Sequence, residues 1–229
     1  TVVLLEGGPR LLPSSPPDLS QKAKETLRKL GVDVRTDSMV TGVEDGAVTA
    51  VGWRIPTDTV VWAAGSVGSP LLATVGAALD RIGRVVVEPD CSVPGHPEIL
   101  VLGDGAAYAH DPRFEVLPGI APVAIQQGRH AAAVIAAELA GRSRPPFRYV
   151  DKGQLAVIGR GKAVADVGPV HVAGFLAWVT WVFIHIFYLI GFANRLLVLI
   201  QWAFHYVTFK RGARLITRPW RPAGPTPPA

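Results

Sequence analysis

One stretch limits the folds open to this chain more than any other. Ile99, Leu100, Val101 and Leu102 run into Gly103, Asp104 and Gly105, and a second run, residues 117–128, follows closely. Four consecutive apolar strand formers describe a strand buried on both faces, the habit of parallel sheets in α/β proteins. Gly-Asp-Gly at its end sets an acidic side chain just beyond the carboxyl end of a strand, where open α/β sheets bind ligands. The second run carries Pro118, Gly119 and Pro122 and then Gln126 and Gln127. It reads as a loop turning into a helix with proline in its first turn. Asp104 can accept hydrogen bonds from sugar-like hydroxyls, and free N–H groups at a helix start suit a partly negative heterocycle. The alternative for these residues is a tight turn with no ligand.

The length of 229 residues allows one or two domains with sizeable cores. Lys and Arg number 23 against 18 Asp and Glu, a net charge of +5, and Lys210, Arg211, Arg214, Arg218 and Arg221 crowd the end. Basic residues flanking an apolar segment suit an anionic membrane surface, and no nucleic-acid-binding signature is present. Cys91 is the only cysteine, which excludes an internal disulfide, a redox dithiol and a four-cysteine zinc site. Its simplest reading is structural.

Residues 2–6 form a short parallel-type strand ending in Glu6, with Gly7, Gly8 and Pro9 breaking it. In a dinucleotide-binding βαβ unit an acidic residue follows the Gly-rich fingerprint by about 20 positions and accepts hydrogen bonds from the adenosine ribose. Glu6 fits that role, with an ordinary strand-end carboxylate as the alternative. The fingerprint it implies would precede Thr1, and the chain reads as part of a longer protein. A helix is expected over 19–30 with Gly31 as its stop, then a strand over 32–35. A hairpin of residues 40–44 and 47–53 turns at Asp45 and Gly46. Residues 58–64 read as another buried strand, ending at Trp62, Ala63, Ala64 and Gly65, where small residues admit a ligand. A short apolar helix or turn over 71–78, a strand over 81–88 and a Pro-rich connector over 90–97 lead back to Asp104. A helix over 122–139 and a short strand over 155–159 follow.

From Val170 to Phe192 no side chain carries formal charge, a length that in principle crosses a hydrocarbon core of roughly 30 Å. Gly174, Trp178, Trp181, His185 and Tyr188 recur at helical spacing. Asn194, Gln201, His205 and Thr208 line one face of a second segment ending at Phe209. Such stripes favour helices lying in a membrane interface over a single spanning helix. His171, His185 and His205 lack the spacing of a metal site and read as packing or interfacial residues. Residues 211–229, rich in Arg and Pro, read as a disordered tail.

Together these residues resemble a known family. Leu4-Leu5-Glu6, Trp62-Ala63-Ala64-Gly65 and Gly103-Asp104 are shared with many pyridine-nucleotide flavoproteins. The stretch from Tyr149 to Arg160, and that from Gly174 through His185 to Asn194-Arg195-Leu196, closely resemble the carboxyl-terminal half of type II NADH dehydrogenases, the non-proton-pumping NADH:quinone oxidoreductases. The resemblance implies an α/β fold, part of a two-dinucleotide-binding-domain (Rossmann-like) flavoprotein with membrane-associated amphipathic helices at its end. The expected domains are 1–65 from an NADH-binding domain, 66–148 from an FAD-binding domain, 149–210 for membrane anchoring and 211–229 as tail.

It further implies FAD as cofactor, NADH as substrate, a membrane quinone as acceptor and a homodimer on the cytoplasmic face of the bacterial inner membrane. By position, Gly103, Asp104 and the backbone of Ala121, Pro122 and Val123 would hold FAD, and Glu6 and Gly65 would contact NADH. Glu6 favours NADH because a carboxylate repels a 2′-phosphate. One departure stands out: where the family often has Ala-Gln at the start of the flavin-facing helix, this chain has Ala121-Pro122, and proline offers no donor. Gln126, one turn on, is the replacement candidate for the quinone contact, with an outward structural role as its alternative. No general acid or base is assigned, because the family's charged candidate would precede Thr1. A sulfide:quinone oxidoreductase would need a redox cysteine pair, which Cys91 alone cannot supply. A non-catalytic membrane-associated remnant or scaffold is the other reading, since without Gly-rich phosphate loops these residues alone should bind FAD poorly.

Overall fold

The computed structural model describes residues 1–187 and 191–208. Tyr188 of the aromatic stripe, Phe209 and the tail at 211–229 lie outside the described residues. The chain divides into two compact units, one of residues 1–154 with 166–171, the other of residues 155–165 with those from 172 onward.

The first unit opens with β1 (Val2–Leu5), α1 (Pro17–Lys29) and β2 (Val32–Arg35), and the two strands pair in parallel with Val2 opposite Val32. Proline in the first turn of α1, Asp18 near its start and Arg28 and Lys29 near its end match the helix geometry and dipole. Leu19 and Ala23 are its buried face, and Gly31, with φ of 85°, releases the chain into β2.

β3 (Val40–Glu44) and β4 (Ala47–Ala50) form the expected antiparallel hairpin around Gly46. Its second arm is shorter than expected, because Gly52 turns the chain back into β5 (Trp53–Pro56) and makes a three-stranded sheet. Residues 58–64 are not the expected buried strand. They have no strand partner among the described residues, and Val61 and Trp62 are 85% and 65% exposed. An apolar run becomes a buried strand only where neighbours take up its backbone groups.

Beyond a 3₁₀ turn at Pro70–Val75 come β6 (Val85–Val86), β7 (Ser92–Val93), β8 (His96–Leu100) and β9 (Ala106–Ala107). β6 pairs in parallel with β9, whereas β7 and β8 form an antiparallel hairpin. Three expectations change here. The strand over 81–88 shrinks to β6, and the connector over 90–97 becomes the β7–β8 hairpin, turning at Pro94 and Gly95. The strand before Asp104 is therefore an arm of that hairpin rather than a central parallel strand. α2 (Ala121–Leu139) matches the expected helix and presents Val123, Gln127, Ala131, Val134 and Ala137 to the interior. Val85, Val87, Cys91, Val93, Val101, Tyr108, Leu117, Val123, Phe147 and Tyr149 make one continuous core.

β10 (Gln154–Gly159), β11 (Lys162–Val167) and β12 (Val170–Gly174) form a three-stranded sheet in that order. α3 (Phe175–Phe187) and α4 (Phe192–Thr208) follow. The uncharged stretch from Val170 is thus part strand and part helix, divided at Gly174 with φ of 82°. Among the described residues no helix is long and apolar enough to cross a membrane. Gly174 consequently leaves the stripe, while Trp178 and Trp181 turn toward α4. The Trp181 and Trp202 rings stack with centroids 5.4 Å apart and planes 5° from parallel, and Trp178 meets Tyr206 at 5.0 Å. The interior of the second unit is small, with Ala163, Ala165 and Ala177 buried and Leu155, Val172 and Trp178 against them. Its larger apolar side chains face outward: Phe187 and Val207 are 67% and 75% exposed, and Phe183, Leu197 and Ile200 are exposed beside them.

Candidate functional site

Gly103–Gly105 forms a single 3₁₀ turn between β8 and β9. Gly103 has φ of 60°, and a Cβ there would lie 3.0 Å from that of Ala124. Only glycine suits both the backbone conformation and the close approach to α2. The Gly103 N–H donates to Gln127 Oε1 at 2.6 Å. Asp104, next in sequence, is exposed, and its carboxylate has no hydrogen-bond or ion-pair partner among the described residues. Gly119 keeps the space beside it clear, for a Cβ at that position would come within 3.2 Å of Asp104 Oδ1. An exposed, unpaired carboxylate beside a helix start is a ready acceptor for a polyol.

Ile120, with an extended backbone, precedes α2, and no side chain among the described residues caps the helix. The N–H groups of Val123 and Ala124 both donate to the Ile120 carbonyl, at 3.0 and 3.2 Å. Pro122 has no N–H, so within Ala121, Pro122 and Val123 the donor left to a ligand is that of Ala121, together with the positive end of the helix dipole. Val123 is buried in the core and anchors the first turn. The loop before the helix is held by Arg84, which donates to the Leu117 carbonyl at 3.3 Å and pairs with Asp80 at 2.7 Å. Burial alone raises the Asp80 carboxyl, yet hydrogen bonds from the Arg84 backbone and side chain and from the Ile82 N–H outweigh it and hold the group below its usual value.

Gln126 sits on the other flank of the helix. Its Nε2 donates to the Val150 carbonyl at 3.0 Å and its Oε1 accepts from the Val150 N–H at 2.9 Å. One N–H and the oxygen of the amide thus engage the Val150 peptide, which gives this side chain a structural role. Glu6 stands at the end of β1, where Oε1 accepts the Gly8 N–H at 2.7 Å. Gly65 is exposed in the unpaired stretch, with φ of 99° and open space around it. No hydrogen bond or ion pair among the described residues joins Glu6 or Gly65 to the turn at Asp104.

Cys91 is fully buried with φ of 69°, and burial, aided by Asp90, pushes its thiol up to about 12. A thiol so placed stays protonated and is a poor nucleophile. His185 stacks on Trp181 at 4.6 Å and His171 lies 3.0 Å from Asp18, and no group of side chains suited to a metal occurs among the described residues. Gln127 is the residue that sequence reasoning passed over. Its signal was a polar side chain inside the apolar stripe of Val123, Ala131 and Val134.

A family model described as pyridine nucleotide-disulphide oxidoreductase matches residues 1–128. This chain belongs to the pyridine nucleotide-disulphide oxidoreductase family. Among curated members, the type II NADH:quinone oxidoreductase Ndh of Mycobacterium tuberculosis is 40% identical over 228 residues, covering 94% of this chain and 48% of that protein. The type II NADH:quinone oxidoreductase of Staphylococcus saprophyticus is 32% identical over 170 residues, 72% of this chain and 42% of that protein. The chain thus spans about half the length of the curated relatives it matches. The structure of NDH2 from Plasmodium falciparum in complex with NADH superposes with a TM-score of 0.74 at 17% identity, covering 91% of this chain and 57% of that one. At that identity the likeness concerns the fold, and it bears out the α/β, Rossmann-like architecture.

Proposed function

We propose that this chain contributes the carboxyl-terminal half of an FAD-dependent oxidoreductase that passes electrons from NADH to a membrane quinone without pumping protons. One observation carries the reading: the exposed, unpartnered Asp104 carboxylate, set by Gly103 and Gly119 beside the start of α2. These residues fit a flavin. Asp104 would accept hydrogen bonds from the ribityl hydroxyls, while the Ala121 N–H and the helix dipole would favour negative charge at the pyrimidine end. FAD, when bound, supplies the two-electron chemistry, and the protein supplies placement and electrostatics. Glu6, pinned by the Gly8 N–H, would present its second oxygen to the ribose of NADH, with Gly65 leaving room beside the nicotinamide nucleotide. These roles rest on position within the family pattern.

The outward apolar faces of α3 and α4 support docking on a membrane, from which the quinone would enter. Helices satisfy their own backbone groups, so an apolar helical face can meet lipid. Association with the cytoplasmic face of the bacterial inner membrane and a homodimeric state belong to the same proposal. So does the division into nucleotide-binding parts at 1–65 and 66–148, an anchoring part at 149–210 and the tail at 211–229. The engagement of Gln126 with Val150 favours its structural role over a quinone contact.

The test uses the complete protein purified in detergent. It should contain bound flavin and oxidise NADH when a soluble quinone is added, and a preparation with neither would overturn the proposal. Asp104→Ala should weaken FAD binding by about tenfold or more, the scale of losing hydrogen bonds to a charged acceptor. Unchanged flavin content in that variant would remove Asp104 from the site.

A further inference from the structure

We infer that Gln127 is a positioning residue for the cofactor, acting through the Gly103 peptide to aim Asp104; the inference rests on the flavin reading of the Asp104 turn. Gln127 is 1% exposed and lies in the apolar stripe by which α2 packs on the core. Its Oε1 takes the Gly103 N–H at 2.6 Å, while its Nε2 is buried with no partner among the described residues. A buried amide with an unpaired donor is disfavoured, so packing alone would select an aliphatic residue here. The oxygen, not the bulk, is what this position uses.

Gly103 explains why the oxygen matters. Glycine passes freely between left- and right-handed conformations, and Gly103 adopts φ of 60° immediately before Asp104. The carbonyl of the same peptide, that of Leu102, accepts the Gly105 N–H only at 3.4 Å, so without the hydrogen bond from the Gly103 N–H this peptide is held by one long contact and Asp104 would sample other directions. The bond holds the turn against α2, the same helix whose start faces the proposed flavin. One side chain thereby fixes two parts of the site relative to each other.

The test measures FAD affinity of the complete protein after reversible flavin removal, together with the visible circular dichroism of the bound flavin. Gln127→Met keeps length and volume but lacks the oxygen. It should weaken FAD by about three- to tenfold, the effect of one lost hydrogen bond that strands a buried amide, and alter the dichroism. Gln127→Glu, kept protonated by a site that excludes charge, retains an acceptor oxygen and should lose less affinity than Gln127→Met. In a double-mutant cycle, Gln127→Met should add little once Asp104→Ala is present, because both act on one contact. Full additivity, or unchanged affinity in Gln127→Met while Asp104→Ala is impaired, would overturn the inference alone. A complete protein that holds no flavin would overturn the proposed function beneath it.

Discussion

Residues 58–65 and the α3–α4 pair both expose large apolar side chains, yet they do so with different backbones. Val61 and Trp62 stand on a stretch without strand partners among the described residues. Phe183, Phe187 and Ile200 stand on helices whose backbone groups are satisfied internally. An extended apolar segment needs another strand as well as an apolar neighbour, so its natural complement is protein. A helix needs only the apolar neighbour, so lipid serves as well as protein. Similar residue chemistry thus points to two different kinds of complement.

The largest effect that would break this contrast lies on the helices. Replacing Phe183, Phe187 and Ile200 together with Asp in the complete protein should lower partitioning onto anionic vesicles by roughly a hundredfold or more, since each side chain carries about 1.5–3 kcal/mol of burial. Vesicle flotation measures it, and undiminished flotation would show that this face meets no lipid. Next comes Trp62→Asp. In the complete protein it should destabilise by about 2–4 kcal/mol, as for a polar group forced into an interior. In these 229 residues alone it should change stability by under about 0.5 kcal/mol, as at an exposed site. Equal effects in both would end the argument for a strand partner.

Trp181→Ala should cost about 1–2 kcal/mol through lost ring contacts with Trp202 and His185 while leaving vesicle binding intact. Loss of flotation there would merge the helix–helix seam with the lipid-facing side. The smallest effect tests order that needs no outside complement. Asp80 is held below the ordinary aspartate value, so its contribution is present above that pH and is lost as pH falls further, through its lowered folded-state value. Acid unfolding followed by circular dichroism should therefore be less steep in Asp80→Asn.

What was legible in the sequence follows the range of the forces involved. α1 and α2 carry local signals, proline in the first turn and helical periodicity, and both formed where expected. Strands depend on neighbours. The run at 58–64 has strand chemistry without a strand beside it among the described residues, and the turn at Pro94 and Gly95 that makes the β7–β8 hairpin looks, in sequence, like a connector between elements. The closeness of the Asp104 turn to the start of α2 is what the resemblance to pyridine-nucleotide flavoproteins implies. The assignment of the two glutamines is not implied by it, because neighbouring helical positions face different directions. Gln126 engages Val150 and Gln127 engages Gly103, each 24 residues away in sequence.

The near-parallel indoles of Trp181 and Trp202, one on each helix, have an optical consequence. At a separation of 5.4 Å the two rings are close enough for their electronic transitions to interact, so the spectrum of the pair depends on how it is held. Drawing α3 away from α4 would uncouple them and change the near-ultraviolet dichroism without any added dye. The hairpin that presents apolar side chains outward therefore carries its own reporter of whether it stays closed when it meets a surface.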